Sequence, residues 1–227
     1  MDGVLKPSDR RLAAIVRMVL PCSCAADVGT DHGKIGAQLL LSGKCGKVIF
    51  SDISAPSLEK AKKLADEKGL LEKAEFCVAD GLDGLPCPAD SIVIAGMGGL
   101  NIRDIIVKGK TAAGNAELIL QPNTEIAGLR LALCENGFRI TDEAVAREGK
   151  RFYVIIRAEK GQMRLDETQL YAGPILLKNS DKEVKAYFAN RLETAEKTVR
   201  EIEKAGSDRN LKELKREAEI WKTALSE

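Results

Sequence analysis

Apolar positions in the first 160 residues follow two different spacings. Apolar residues three and four apart predict helices, and short apolar runs that end at glycine, proline or an acidic residue predict buried strands. The first such pattern predicts an amphipathic N-terminal helix over residues 8–19, with Ser8 or Asp9 at its N-cap. Strands are then predicted at residues 25–28, 47–52, 74–78, 91–95 and 116–120, and helices at 34–41, 56–68, 98–107 and 125–136.

Strands that alternate with helices pair in parallel, because the right-handed crossover returns the chain to the same end of the sheet. The alternation stops at residues 138–144 and 152–158, two strands that we expect to form a hairpin with a turn over residues 147–150. The sequence therefore predicts an α/β fold, with a Rossmann-like seven-stranded sheet of five parallel strands and an antiparallel hairpin.

The C-terminal part of the chain has a different pattern. From residue 181 to 225 charged and apolar residues interleave, and the sequence GSDRN interrupts them, which predicts two antiparallel helices. Residues 181–227 carry 11 Lys+Arg and 11 Asp+Glu, so we expect this coiled-coil-like hairpin to pack or to shape a substrate rather than to clamp phosphates. The expected domains are residues 1–160, with the sheet and the N-terminal helix, and residues 161–227, with the helical hairpin.

The composition is that of an ordinary globular protein, with 44% hydrophobic residues and a net charge of +1. A nucleic-acid partner would therefore need a local basic patch. The two candidates are the N-terminal helix, with Arg10, Arg11 and Arg17, and residues 139–164, with seven Lys+Arg against four Asp+Glu.

Six scattered cysteines and a single histidine, His32, lack the spacing of a zinc site, so we expect free thiols and no metal. No apolar run is long enough to span a bilayer, and the N-terminus lacks the order of a secretory signal. The expected location is the cytoplasm, with no membrane partner and no obligate protein partner.

The segment after the first predicted strand holds the clearest chemical pattern. It places a carboxylate at the strand end and glycines in the turn that follows, where backbone can approach a ligand: Asp27, Gly29, Thr30, Asp31, His32 and Gly33. Dinucleotide-binding turns have a second glycine where this chain has Asp31. A carboxylate repels pyrophosphate and suits a cation such as S-adenosylmethionine, which carries an ammonium and a sulfonium. A plain turn capped by Asp31, without a ligand, is the alternative interpretation.

Two more acidic residues follow the next two strands. Asp52, before Ile53, is placed to accept hydrogen bonds from ribose hydroxyls, although it could simply cap the next helix. Asp80, before Gly81, is placed to accept a hydrogen bond from an adenine amino group. Because parallel strands end at one edge of the sheet, we expect these carboxylates and Asp27 to meet in one crevice.

The fourth and fifth strands end in residues suited to a flat substrate. Ala95, Gly96, Met97 and Gly98 lie where a transferred methyl group would emerge, unless these glycines serve only tight helix packing. Gln121 and Asn123 offer amides that can pair with the edge of a base.

Together these motifs resemble the bacterial tRNA (adenine-22-N1)-methyltransferase family over residues 8–160. The family's ADIGTDHG, SDI, DGL, IAGMGG and LQPN correspond to residues 26–33, 51–53, 80–82, 94–99 and 120–123. After residue 33 the family has Tyr, an apolar residue and Pro, and this chain has Lys34, Ile35 and Gly36, so it departs from the family at residues 34 and 36. That departure leaves a substrate other than the family's as an alternative.

The resemblance implies transfer of a methyl group from S-adenosylmethionine, the cofactor, to N1 of adenine 22 in tRNA, the partner. Under that activity Asp31 would stabilise the cationic product and Asn123 would position the base. His32 is either catalytic or a loop-organising residue. The residues expected to bind the cofactor are Asp27, Gly29, Thr30, His32, Gly33, Asp52, Ile53, Asp80, Gly81, Ala95, Gly96 and Met97. Those expected to bind the substrate are Arg10, Arg11, Gly98 and Gln121.

Two other functions remain open on the sequence. One is a methyltransferase that acts on a small molecule or a protein, and the other is a domain that binds S-adenosylmethionine without turnover. An NAD-dependent oxidoreductase fits less well, because Asp31 lies where pyrophosphate would bind.

Overall fold

A seven-stranded sheet forms the centre of the molecule in the computed structural model, which describes residues 9–205 and 210–226. The strands are β1 (Cys22–Val28), β2 (Cys45–Asp52), β3 (Ala74–Val78), β4 (Ser91–Met97), β5 (Glu117–Pro122), β6 (Phe138–Glu148) and β7 (Arg151–Lys160). Their order in the sheet is β3-β2-β1-β4-β5-β7-β6. The first five are parallel, whereas β7 is antiparallel to both of its neighbours. The predicted seven-stranded α/β fold is confirmed.

Helices cover both faces of the sheet. They are α1 (Arg10–Met18), α2 (Lys34–Leu41), α3 (Ala55–Glu67), α4 (Gly99–Lys108), α5 (Ile126–Glu135), α6 (Glu167–Ala172), α7 (Lys182–Lys204) and α8 (Leu211–Ser226), with 3₁₀ turns at Leu71–Lys73 and Leu176–Lys178. One apolar cluster lies under α1, α2 and α3 and includes Ile15 and Phe50. The other lies under the remaining helices and includes Ile102 and Trp221.

The predicted elements differ from the observed ones mainly at their ends. Asp9 is the N-cap residue of α1, and Ser8 lies outside the described residues. The predicted four-residue turn at 147–150 is wrong, because Arg147 pairs with Phe152 and Glu148 pairs with Arg151. Only residues 149 and 150 remain as the loop, and Gly149 provides the left-handed conformation (φ +62°) that so tight a turn requires.

Helix α6 has no counterpart in the sequence prediction. Its start could have been recognised, since Asp166 and Gln169 form a capping box in which each side chain accepts from the other residue's backbone N–H. A buried ion pair joins this region to the sheet: Arg130 Nε lies 2.8 Å from Glu143 Oε1. Arg130 Nη1 also donates to the carbonyl of Leu170 at 2.8 Å. The segment after β7 is thereby anchored to α5 and β6.

None of the helices in residues 9–205 and 210–226 combines the length and the apolar character needed to cross a membrane.

Candidate active site

The turn after β1 depends on three residues with a left-handed backbone. Gly29, Asp31 and Gly33 have φ values of +70°, +46° and +69°. This conformation is unfavourable for Asp31, which has a Cβ atom. The Asp31 N–H donates to Asp52 Oδ2 at 3.0 Å, a bond that offsets part of this cost and ties the first two strand ends together. Of the three carboxylates expected to meet in one crevice, Asp52 and Asp80 share a cleft, whereas Asp27 lines a neighbouring cavity.

Asp27 lies beneath the same turn and is 2% exposed. Its Oδ2 atom accepts from Thr30 Oγ1 at 2.6 Å and from the Gly36 N–H at 3.0 Å. Burial raises the pKa of Asp27 to about 6, although both of these hydrogen bonds act in the opposite direction. Asp27 therefore holds the turn in place and is a titratable group close to neutral pH.

A cleft of about 400 Å³ opens at the carboxyl ends of β1, β2 and β3; we call it the cofactor cleft. Among the described residues that line it are four carboxylates, Asp52, Asp80, Asp83 and Asp104, and one lysine, Lys108. The local charge of the cleft is therefore negative. The apolar side chain of Ile53, 69% exposed, lies on its wall. An acidic cleft with an exposed apolar wall suits a cationic ligand that carries a flat base.

Gly29, on the wall of this cleft, has a left-handed backbone (φ +70°) that disfavours any residue with a side chain. The end of the Met97 side chain lies over it, since a Cβ atom at Gly29 would be 1.9 Å from Met97 Cε. The acidic and apolar residues of the cleft fit S-adenosylmethionine, which carries positive charges and an adenine base. Asp52, Ile53, Asp80 and Gly81 line the cleft where the sequence placed cofactor contacts.

One wall of the cofactor cleft, which α4 contributes, was not predicted from the sequence. Asn101, Asp104, Ile105 and Lys108 line the cleft from one face of that helix. Their spacing of three and four residues puts them on the same side, and this pattern could have identified them once the helix was placed after β4.

A second cavity, the connecting pocket, has a volume of about 310 Å³ and shares Gly29 and Met97 with the cofactor cleft. The structure brings together in it most of the other predicted residues: Arg11, Asp27, Thr30, Asp31, His32, Ala95 and Gly96. Lys34, one of the departures from the family pattern, also lines it. The Asp31 carboxylate lies 3.5 Å from His32 Nε2 and 3.8 Å from Lys60 Nζ.

A third cavity, the outer groove, has a volume of about 650 Å³ and shares Arg11 and Gly96 with the connecting pocket. Among the described residues that line it, four are basic and one, Glu148, is a carboxylate; the basic ones are Arg11, Lys150, Arg151 and Arg191. Phe152, Tyr153 and Tyr187 add aromatic surface. The charge excess of residues 139–164 was predicted from the sequence. The position of α7 beside that hairpin was not, because the two segments meet only in the folded protein.

A chain of hydrogen bonds runs along the boundary of these cavities. Arg11 Nη1 donates to Gln121 Oε1 at 2.6 Å, and Gln121 Nε2 donates to Asn123 Oδ1 at 3.1 Å. Asn123 Nδ2 then donates to the carbonyl of Gly96 at 2.7 Å. Gly96 lies at an irregularity in the pairing of β4 with β5 and has φ +80°. The network fixes the orientation of the Asn123 amide at the wall of the outer groove.

The structure does not bring every predicted residue to a cavity wall. Gln121 is fully buried and lies beneath Arg11 and Asn123. Arg10 is exposed but is not among the residues that line the three cavities. Gly98 is the N-cap of α4, and Gly33 packs on α3, where a Cβ atom would lie 2.8 Å from that of Ala61.

Among the described residues, no group of three or more His, Cys, Asp or Glu side chains is arranged to hold a metal ion. The six cysteines are free thiols.

The strand order, the antiparallel last hairpin and the acidic cleft at the strand ends define a class I, S-adenosylmethionine-dependent methyltransferase. Residues 25–223 match the model of the TrmK family, tRNA (adenine(22)-N(1))-methyltransferase, and the chain belongs to this family.

Relatives and solved structures agree with this assignment over nearly the whole chain. The tRNA (adenine(22)-N(1))-methyltransferase of Bacillus subtilis is 28% identical, over 95% of this chain and 96% of its own. The crystal structure of the B. subtilis M1A22 tRNA methyltransferase TrmK superposes with a TM-score of 0.85 at 27% identity, covering 97% of this chain and 99% of that one. A Streptococcus pneumoniae protein solved in complex with S-adenosyl-L-methionine gives a TM-score of 0.85 at 29% identity, covering 95% and 98%.

Proposed function

We propose that this enzyme methylates N1 of adenine 22 in tRNA, with the cofactor in the acidic cleft and the target nucleotide entering from the basic outer groove. The observation that carries the proposal is the separation of charge between two cavities that the connecting pocket joins. The cofactor cleft has four carboxylates and one lysine, and the outer groove has four basic residues and one carboxylate. A cationic cofactor and an anionic RNA are each attracted to a different end of one path.

Met97 and Gly96 mark the place of methyl transfer on that path. Met97 lines the cofactor cleft and the connecting pocket, and Gly96 lines the connecting pocket and the outer groove. Gly96 contributes no side chain to this junction, and the nearest atom to the place of its missing Cβ is Arg11 Nη1 at 3.5 Å. A flat base can therefore approach the cofactor closely here.

When bound, S-adenosylmethionine supplies a methyl group on a cationic sulfur, and its transfer to adenine N1 leaves the positive charge on the base. No proton has to be removed, so the protein's main tasks are orientation and charge stabilisation. Asp31 provides a carboxylate at the wall of the connecting pocket, where it stabilises the cationic product. His32, 3.5 Å from Asp31, orients that carboxylate rather than acting as a base.

Asn123 positions the base. Its amide is held by Gln121 on one side and by the Gly96 carbonyl on the other, so the group meets an incoming base in one orientation. The Asn123 oxygen can accept from the adenine amino group, which a guanine does not offer at that position.

The proposal assigns different tasks to the two parts of the chain. In this proposal residues 1–160 hold the cofactor and the reacting base, and residues 161–227 complete the outer groove through the α7 residues Tyr187, Asn190 and Arg191. The protein acts without a membrane and without an obligate protein partner, in the cytoplasm.

The test is incubation of the protein with labelled S-adenosylmethionine and unmodified bulk tRNA, followed by nucleoside analysis. We expect the label in 1-methyladenosine and a large loss in the Asp31→Ala variant. Glu72→Ala, which changes a carboxylate in the 3₁₀ turn before β3, is the matched control and retains activity. Label in another nucleoside, or tight cofactor binding without any labelled tRNA, contradicts the proposal.

A further inference from the structure

Tyr153 and the predicted base-positioning residue Asn123 line the same outer groove, although they are 30 residues apart in sequence. Asn123 follows β5 and Tyr153 lies on β7. The two strands are paired antiparallel, with Leu120 facing Ile156.

Arg11 joins these two strands from α1. Its guanidinium carbon lies 5.5 Å from the centroid of the Tyr153 ring, and its Nη1 atom donates to the buried Gln121. Its backbone N–H donates to Glu148 Oε1 at 2.8 Å, which fixes the first turn of α1 against β6. Arg11 is therefore held by its backbone N–H and by its guanidinium, and the guanidinium lies against the Tyr153 ring.

This pair is located at the point where the connecting pocket meets the outer groove. Arg11 Nη1 lies 3.5 Å from the place that a Cβ atom of Gly96 would occupy. Arg11 lines both cavities, whereas Tyr153 lines the outer groove. Both flat groups therefore lie on the path from the outer groove through the connecting pocket to the cofactor cleft.

We propose that Tyr153 and Arg11 form the stacking platform for the adenine that is methylated, with Gln121 as the residue that positions Arg11. A target base that leaves its stack loses contacts with its neighbours, and an aromatic ring or a guanidinium plane can replace them. This inference rests on the proposed function, since it assigns a role within the same substrate path. It adds Tyr153, which none of the sequence motifs contains, to the residues that touch the substrate.

The alternative for the pair is a purely electrostatic role, in which Arg11 attracts phosphate and Tyr153 only supports it. The two roles differ in what they require of the base. Stacking needs a base at position 22 and a planar side chain beside it, whereas phosphate attraction needs neither.

The experiment measures tRNA dissociation constants with intact tRNA and with tRNA that carries an abasic nucleotide at position 22. In the wild type we expect the abasic tRNA to bind about tenfold more weakly. This ratio should persist in Tyr153→Phe and approach one in Tyr153→Leu. Tyr171→Leu, which removes an aromatic ring from α6, is the control and retains the wild-type ratio.

An unchanged ratio in Tyr153→Leu overturns the inference, as does a wild-type ratio of one. Binding of S-adenosylmethionine shows that each variant is folded. If Tyr153→Leu fails to fold, Arg11→Lys replaces it, because that change keeps the charge and removes the planar group. A ratio that stays near tenfold in Arg11→Lys then overturns the inference. Failure of the wild type to form 1-methyladenosine in any tRNA overturns the proposed function instead, so the two failures are distinguishable.

Discussion

The backbone N–H of Gly36 donates to the buried carboxylate of Asp27 at 3.0 Å. Proline, which the family pattern has at this position, lacks an N–H and cannot make this bond. A Cβ atom at Gly36 would lie 2.4 Å from the Phe50 ring, so the ring fills the space that a side chain would need. The departure at residue 36 is therefore matched by Phe50 on β2 and by the bond to Asp27.

The first prediction concerns this pair. Gly36→Ala should destabilise the protein by about 1–3 kcal/mol, because the new methyl group overlaps a ring that the core holds in place. The double variant Gly36→Ala/Phe50→Leu should recover part of that loss, and denaturant unfolding of the single and double variants measures it. Additive effects of the two substitutions, or a more stable Gly36→Ala, would show that the ring does not restrict position 36.

The second prediction follows from the pKa of Asp27, which burial raises from 3.8 to about 6. The folded protein then binds the proton more tightly than the unfolded chain does. The contribution of Asp27 to the free energy of unfolding is greatest below pH 4 and is lost as the pH rises through 6, by roughly 3 kcal/mol. Thr30 and Gly36 donate to the carboxylate and Asp52 repels it, so all three set the size of the effect.

Unfolding of the wild type and of Asp27→Asn at pH values from about 4 to about 8 tests this sign. The difference in unfolding free energy, wild type minus variant, should fall as the pH rises and level off above about 7. A difference that is flat across this range, or that rises, would show that Asp27 ionises normally.

The third prediction concerns Gln121, which is buried and links Arg11 to Asn123. Gln121→Leu removes an acceptor and a donor, and should lower kcat/KM for tRNA roughly 10- to 100-fold. The dissociation constant of S-adenosylmethionine should change little, because Gln121 does not line the cofactor cleft.

The exposed Gln162, just after the sheet, provides the matched control for this change. Gln162→Leu should leave kcat/KM as it is in the wild type. Equal losses of cofactor and tRNA affinity in Gln121→Leu would point to general damage to the sheet and against a positioning role.

The fourth prediction concerns stability at the edge of the sheet. Arg130 and Glu143 form an ion pair whose side chains are both fully buried. Glu143→Gln leaves the guanidinium without its counter-charge and should destabilise the protein by about 3–5 kcal/mol. The exposed pair of Arg139 and Glu159 is the control, and Glu159→Gln should cost less than about 1 kcal/mol. Similar losses of unfolding free energy in the two variants would contradict this account.

Much of the cofactor cleft could be predicted from the sequence because its residues follow strand ends. Asp52 is the last residue of β2, and Asp80 follows the end of β3 by two residues. The carboxyl ends of parallel strands lie at the same edge of a sheet, so these residues are close together. The parallel pairing of the first five strands followed from their alternation with helices, and the final hairpin followed from the point where that alternation stops. The length of the hairpin turn could not be predicted from the spacing of apolar residues, because it depends on the left-handed conformation of Gly149.

The outer groove could not be predicted in the same way. It joins α1, the tip of the β6–β7 hairpin and α7, which are far apart in sequence and meet only in the folded protein. The burial of Gln121 is a further example. Residues two apart share a face of a strand, so the sequence pattern does not separate Gln121 from Asn123, which follows the end of β5 and lines the groove. Gln121 is fully buried, and its contact with Arg11 forms only in the folded protein.

The central claim is that this site methylates one adenine, at position 22 of tRNA. The most direct measurement is reaction with a tRNA transcript and with the same transcript carrying guanine at position 22, followed by digestion and mass spectrometry of the fragments. The account predicts 1-methyladenosine only in the fragment that contains position 22 and no methylation of the guanine transcript. Methylation at another position, or equal methylation of both transcripts, would contradict it.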